Sequence, residues 1–112
     1  MDKESQSLDT VEPMYELTGF QRDVLYVTME LGEPIGVEIC RRLQNYYGEE
    51  ICPRLYKNLN DLREMGFLEE VDGEYKNTRR NVVSDKGRVA LDRDLAWRKE
   101  RMKSESQQSQ ND

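Results

Sequence analysis

Apolar residues recur at helical spacing through the first half of the chain and alternate as in strands only once, near residue 70. After Thr18, which is placed to cap a helix, Phe20, Val24, Leu25, Val27, Thr28 and Leu31 follow with a helical period until Gly32 and Pro34 interrupt it. Beyond the Glu33-Pro34 turn, Ile35, Val37, Ile39, Cys40, Leu43 and Tyr47 predict a second helix ending at Gly48, with Glu38, Arg41, Arg42 and Asn45 on its outer side. Pro53 suits the first turn of a third helix, where a missing N–H costs nothing. There Leu55, Leu59 and Leu62 form one stripe, Met65 lies beside it, and Gly66 is the stop.

The pattern then changes. Phe67, Leu68 and Val71 predict a strand, and Val82 and Val83 a returning one. Two registers are open: a tight turn at Asp72-Gly73, or a longer connection from Asp72 to Arg79. Ser84 is placed to cap a fourth helix, and Asp85 favours its first turn through the helix dipole. Val89, Leu91, Leu95, Ala96, Trp97 and Met102 are its apolar positions. The expected organisation is an acidic, disordered arm over residues 1–17, a domain over 18–84, a helix over 85–103, and a disordered Ser/Gln-rich tail over 104–112.

Three helices followed directly by a hairpin are the order of a winged helix-turn-helix, an α+β, mainly α fold with a three-helix core and a two-stranded wing. In that architecture the third helix enters the major groove and the wing meets the backbone. The leucine stripe turns Arg54, Lys57, Asn58, Asn60 and Asp61 outward. Arginine and asparagine are the types whose donors and acceptors match guanine and adenine edges. Lys76, Arg79 and Arg80 form a second cluster on the hairpin, suited to phosphate, and Arg41 and Arg42 on the second helix complete the expected DNA-binding set. The plain alternative is that all of these form a solvated face.

Charge distribution bears on that choice. The 112 residues carry a formal net charge of −6, which opposes binding to nucleic acid. Residues 1–75 hold 7 basic and 17 acidic side chains, whereas residues 76–103 hold 10 basic and 4 acidic ones, so a basic stretch follows an acidic body. No apolar run approaches the roughly 20 residues that span a bilayer, and the acidic N-terminus lacks the order of a signal peptide; a soluble, cytoplasmic protein is expected. With no histidine and two thiols, a His-based catalytic site is not available, and a four-ligand zinc site would have to recruit carboxylates or a second subunit. No enzyme activity, metal or cofactor is therefore expected. Cys40 and Cys52 are expected reduced, as small buried hydrophobes; the alternative is an oxidative link between the second helix and the start of the third.

The stretch Leu55-Tyr56-Lys57-Asn58-Leu59-Asn60-Asp61-Leu62-Arg63-Glu64-Met65-Gly66-Phe67-Leu68 resembles the recognition helix and first strand of PadR-like regulators. Val83-Ser84-Asp85-Lys86-Gly87-Arg88 resembles that family's strand-to-helix junction, usually Leu-Thr-x-x-Gly. Leu17 to Leu25 is similar to the first helix of archaeal members, and the resemblance covers about residues 17–102. It departs at Lys57, where many relatives have proline, and at Ser84, where threonine is usual. Arginine outnumbers lysine 11 to 6, which with the acidic excess resembles proteins of salt-loving archaea. The resemblance implies a homodimer, a two-fold DNA site and repression. Independently, Leu91, Leu95, Trp97 and Met102 give the fourth helix more apolar surface than a small core covers, and are the expected dimer interface. The competing function is a winged-helix adaptor that meets a protein partner without binding DNA.

Overall fold

The computed structural model describes residues 16–73 and 79–111, with side chains as far as Lys103. Helix α1 spans Gly19–Leu31, α2 Gly36–Tyr47 and α3 Cys52–Glu64, the last entered through a single 3-10 turn at Glu49–Ile51. Strands β1 (Leu68–Asp72) and β2 (Arg79–Val83) form the hairpin, and α4 runs from Asp85 to Asn111. The architecture is the expected winged helix-turn-helix.

Helix α1 starts at a reciprocal cap. Thr18 Oγ1 accepts from the Gln21 N–H (3.1 Å), and Gln21 Oε1 accepts from the Thr18 N–H (3.0 Å), so two end donors are satisfied by one pair of side chains. Isoleucine has no acceptor to offer at the start of α2; there Glu38 reaches back to accept from the Ile35 N–H at 3.0 Å. Helix α3 closes at Gly66, whose φ of 88° suits a residue without a Cβ. The Gly66 N–H donates to Arg63 O and the Phe67 N–H to Leu62 O, which returns the chain toward the core.

The core lies where the three helices meet the inner face of the hairpin. Val24 and Leu25 of α1, Ile39 and Leu43 of α2, the stripe Leu55, Leu59 and Leu62 of α3, and Phe67, Leu68 and Val83 of the hairpin are all buried. Val37 and Met65, expected with the apolar set, are instead 44% and 40% exposed, because Val37 sits in the first turn of α2 and Met65 at the cap of α3. The strands pair antiparallel from Leu68↔Val83 to Asp72↔Arg79. Pairing Asp72 with Arg79 selects the longer connection over a tight Asp72-Gly73 turn.

The hairpin is tied to the body at two places. At its base, Ser84 Oγ donates to Gly66 O (2.6 Å) and accepts from the Gly87 N–H (3.0 Å), while the Ser84 N–H donates to Phe67 O (3.0 Å). On the other side, the backbone and side-chain N–H groups of Asn81 both donate to Pro34 O (2.8 and 3.2 Å), and Arg80 donates to Glu33 O (2.7 Å). These bonds hold β2 against the α1–α2 turn.

Two expectations are corrected here. Cys40 and Cys52 are paired as a disulfide, with Cα atoms 5.4 Å apart, rather than reduced. The inner side of α2 and the first residue of α3 bring the two thiols face to face, within the span a disulfide bridges. Helix α4 also continues to Asn111 instead of giving way to an irregular tail at Ser104. Neither glycine nor proline occurs beyond Lys103 to stop it. The expected arm falls largely on residues 1–15, outside those described.

Candidate nucleic-acid interface

The exposed side of α3 is set by the phase of its leucines. With Leu55, Leu59 and Leu62 buried, Arg54, Tyr56, Lys57 and Asn60 are exposed and Asp61 is half-buried. Arg41 on α2 is also exposed. Among the described residues, Arg41, Arg54 and Lys57 make no ion pair and no side-chain hydrogen bond, so their charge is fully available to a ligand.

The other expected contacts are engaged within the chain. Asn58 donates through Nδ2 to Arg54 O (2.8 Å) and accepts at Oδ1 from Gln21 Nε2 (3.1 Å). Gln21 is 7% exposed and already caps α1 through its oxygen, so Asn58 bolts α3 to α1. Arg42 pairs with Glu30. Arg79 pairs with Glu70 at 3.1 Å, and the same carboxylate receives Arg63 of α3 at 3.5 Å. Arg80 holds Glu33 O and stands 4.0 Å from Glu38. Asn60 Oδ1 accepts from Arg63 NH1 at 3.2 Å. Lys76 lies outside the described residues. Such exposed pairs are worth about 0–1 kcal/mol each, weak enough for a phosphate to compete for the same arginine.

Helix α3, the start of α2 and the hairpin enclose a groove of about 360 Å³, lined by Gly36, Val37, Tyr56, Arg63, Glu70 and Arg79 among others. A Cβ at Gly36 would stand 2.7 Å from the Tyr56 ring, so a side chain there would push that exposed ring aside. Tyr56, 53% exposed, is an interface candidate the sequence reading missed, although its phase outside the leucine stripe marks it.

Helix α4 divides at Asp94. Ala90 and Leu91 are buried in the chain's own core, so Leu91 belongs to that core and leaves the expected dimer face. Asp94 accepts from the Tyr26 hydroxyl (2.6 Å) and from Arg98 Nε (2.9 Å), fastening α4 to α1. Burial and the bond to Asp94 hold the Tyr26 phenol well above its ordinary range. Burial alone would raise the Asp94 carboxyl, but Arg98 and Tyr26 together bring it below its ordinary value. Past Asp94 every described side chain is exposed, with Leu95 at 42%, Trp97 at 57% and Met102 at 64%.

Among the described residues no helix is long and apolar enough to cross a membrane, and no group of three His, Cys, Asp or Glu side chains is placed to hold a metal.

A three-helix core with its third helix exposed and a two-stranded wing strapped beside it defines a winged helix-turn-helix regulator. No protein-family model matches the chain, and no curated protein does. Solved structures do match. The complex structure of hsRosR-S1 superimposes with a TM-score of 0.70 at 31% identity, covering 88% of this chain and 96% of that one. The hsRosR-S4 complex gives 0.71 at 31% identity, over 89% and 95%. A structure of H. salinarum RosR grown from NaBr gives 0.65 at 33% identity, over 83% and 93%. The chain belongs to the RosR family of winged-helix transcription regulators.

Proposed function

We propose that this protein is a sequence-specific DNA-binding regulator that acts as a homodimer, with α3 in the major groove and the wing on the backbone. One observation carries the reading: on the two helices of the helix-turn-helix, Arg41, Arg54 and Lys57 are exposed and make no ion pair or side-chain hydrogen bond among the described residues, whereas Arg42, Arg63, Arg79 and Arg80 beside them stand against carboxylates. The likeness to RosR, whose solved structures include complexes, supports it, and the PadR-like pattern of the recognition helix and junction fits the same plan. Arg54 and Lys57 flank the outward face of α3, and Arg41 is placed to meet the adjacent phosphate strand. Past Asp94, α4 offers Leu95, Trp97 and Met102 to a second copy, which would set two recognition helices on a two-fold site. Bound over a promoter, such a dimer excludes polymerase, so repression is the expected outcome.

The test is binding to DNA selected from a random pool, followed across a salt series. Arg54→Ala and Lys57→Ala should each weaken binding and lower the slope of log K against log salt by about 1. Sedimentation at micromolar concentration should give a dimer, and Trp97→Asp a monomer. An adaptor that meets only protein would select no sequence at any salt, and that result would reject the proposal.

A further inference from the structure

The polar contacts of α3 and the hairpin form one continuous chain of four side chains. Arg79 of β2 donates to Glu70 of β1 (3.1 Å), Glu70 receives Arg63 of α3 (3.5 Å), and Arg63 NH1 donates to Asn60 Oδ1 (3.2 Å). Arg63 is the fixed member: its side chain is 26% exposed, its Nε is buried, and the Glu70 carboxylate holds one end of the fork. Asn60 is the exposed member, on the outward face of α3 between Lys57 and Glu64.

A guanidinium only donates, so it can hold only the oxygen end of an amide. An unconstrained asparagine presents oxygen and nitrogen side by side, the arrangement that matches adenine N6 and N7. With its oxygen drawn back to Arg63, Asn60 shows its amide N–H pair to whatever lies beyond the helix. Guanine presents two neighbouring acceptors, N7 and O6, in the major groove, which suit such a donor pair. The chain's other outward asparagine of α3, Asn58, has both ends of its amide used inside the fold and does not compete for this role.

We infer that Asn60 is a specificity-determining residue that reads guanine rather than adenine, and that Glu70, through Arg63, positions its amide. This rests on α3 being the reading helix. Glu70 touches no base; it selects one by fixing which end of Asn60 faces outward.

Selection from a random DNA pool with the full chain and with Asn60→Ala, Asn60→Asp and Glu70→Gln tests the inference. Wild type should enrich guanine at one position of each half-site. Asn60→Ala should remove that preference by roughly tenfold while leaving the other positions intact. Asn60→Asp, which only accepts, should move the same position toward cytosine, whose N4 donates. Glu70→Gln should broaden it toward adenine, a change at one position that general destabilisation does not produce. Circular dichroism of each variant confirms folding. Adenine at the affected position in wild type, or a profile that Asn60→Ala leaves unchanged, overturns the inference while DNA reading stands. Failure of wild type to enrich any motif overturns the proposed function, and this inference with it.

Discussion

Gly87 is the residue on which the junction between wing and α4 depends, and Gly87→Ala measures it. A Cβ there would stand 2.4 Å from Phe67 O and 2.8 Å from Val83 Cγ1. The oxygen is backbone and already accepts the Ser84 N–H at 3.0 Å, so it cannot yield without breaking that bond. Three terms set the size. Overpacking a buried site costs about 2 kcal/mol, and losing the hydrogen bond about 1 kcal/mol. Replacing glycine by alanine inside a helix returns about 1 kcal/mol. The balance is a loss of about 2 kcal/mol, and for a domain of this size it lowers Tm by about 8–16 °C. Thermal unfolding followed by circular dichroism at fixed salt and protein concentration reads it directly. Gly19→Ala is the control, because its nearest neighbour would be the Arg22 guanidinium at 3.9 Å, and its Tm should not fall below that of wild type. A Gly87→Ala protein as stable as wild type would refute the reasoning and show that Phe67 and α4 separate freely.

The other predictions concern links between helices. The Cys40–Cys52 bond has a sequence separation of 12, so loop-closure entropy gives it about 3 kcal/mol; reductant should lower the Tm of wild type and leave Cys40→Ser/Cys52→Ser unmoved. Asn58→Ala leaves the Gln21 amide nitrogen buried without its partner, at a cost of about 1–3 kcal/mol in chemical denaturation, and should leave the selected DNA motif unchanged. Altered base preference without lost stability would contradict that assignment. The Tyr47 phenol is pushed up to about 12 by burial and its bond to Asp23, and Tyr26 is raised as well, so the folded state keeps protons that the unfolded state releases above pH 10. Stability should therefore be intact below pH 10 and fall as pH rises toward 12, less steeply in Tyr47→Phe.

Helices α1 to α3 were legible because apolar spacing records burial directly, and Gly32, Pro34, Gly48 and Gly66 mark where the spacing stops. The resemblance around Ser84 and Gly87 acquires a physical cause in the structure: a hydroxyl that bonds in two directions and a position with no room for a side chain. What the pattern could not carry was partnership. Periodicity turns Asn58, Arg42 and Arg79 outward, yet their engagement by Gln21, Glu30 and Glu70 depends on elements that meet only in the fold. The cysteine pair stood only as the alternative to reduced thiols for the same reason, since proximity across the α2–α3 turn has no signature in spacing. Leu91 was misplaced because one apolar stripe on α4 serves two purposes, the core before Asp94 and an open face after it.

The acidic excess gives those pairs a further consequence. Under the proposed function, the carboxylates beside Arg42, Arg79 and Arg80 stand where a phosphate would, so binding DNA would exchange one anion for another. Such an exchange gains little Coulomb energy, because the arginine is neutralised before and after it. Among the described cations of the two helix-turn-helix helices and the wing, net attraction is then left to Arg41, Arg54 and Lys57, working against a chain whose total charge is −6. At molar salt the Debye length falls to about 3 Å, and the repulsion from distant carboxylates is screened along with long-range attraction. Contacts at hydrogen-bond distance are affected far less. Under the proposed function, a recognition surface built from a few bare cations and a fixed amide therefore gives up steering and keeps discrimination as salt rises.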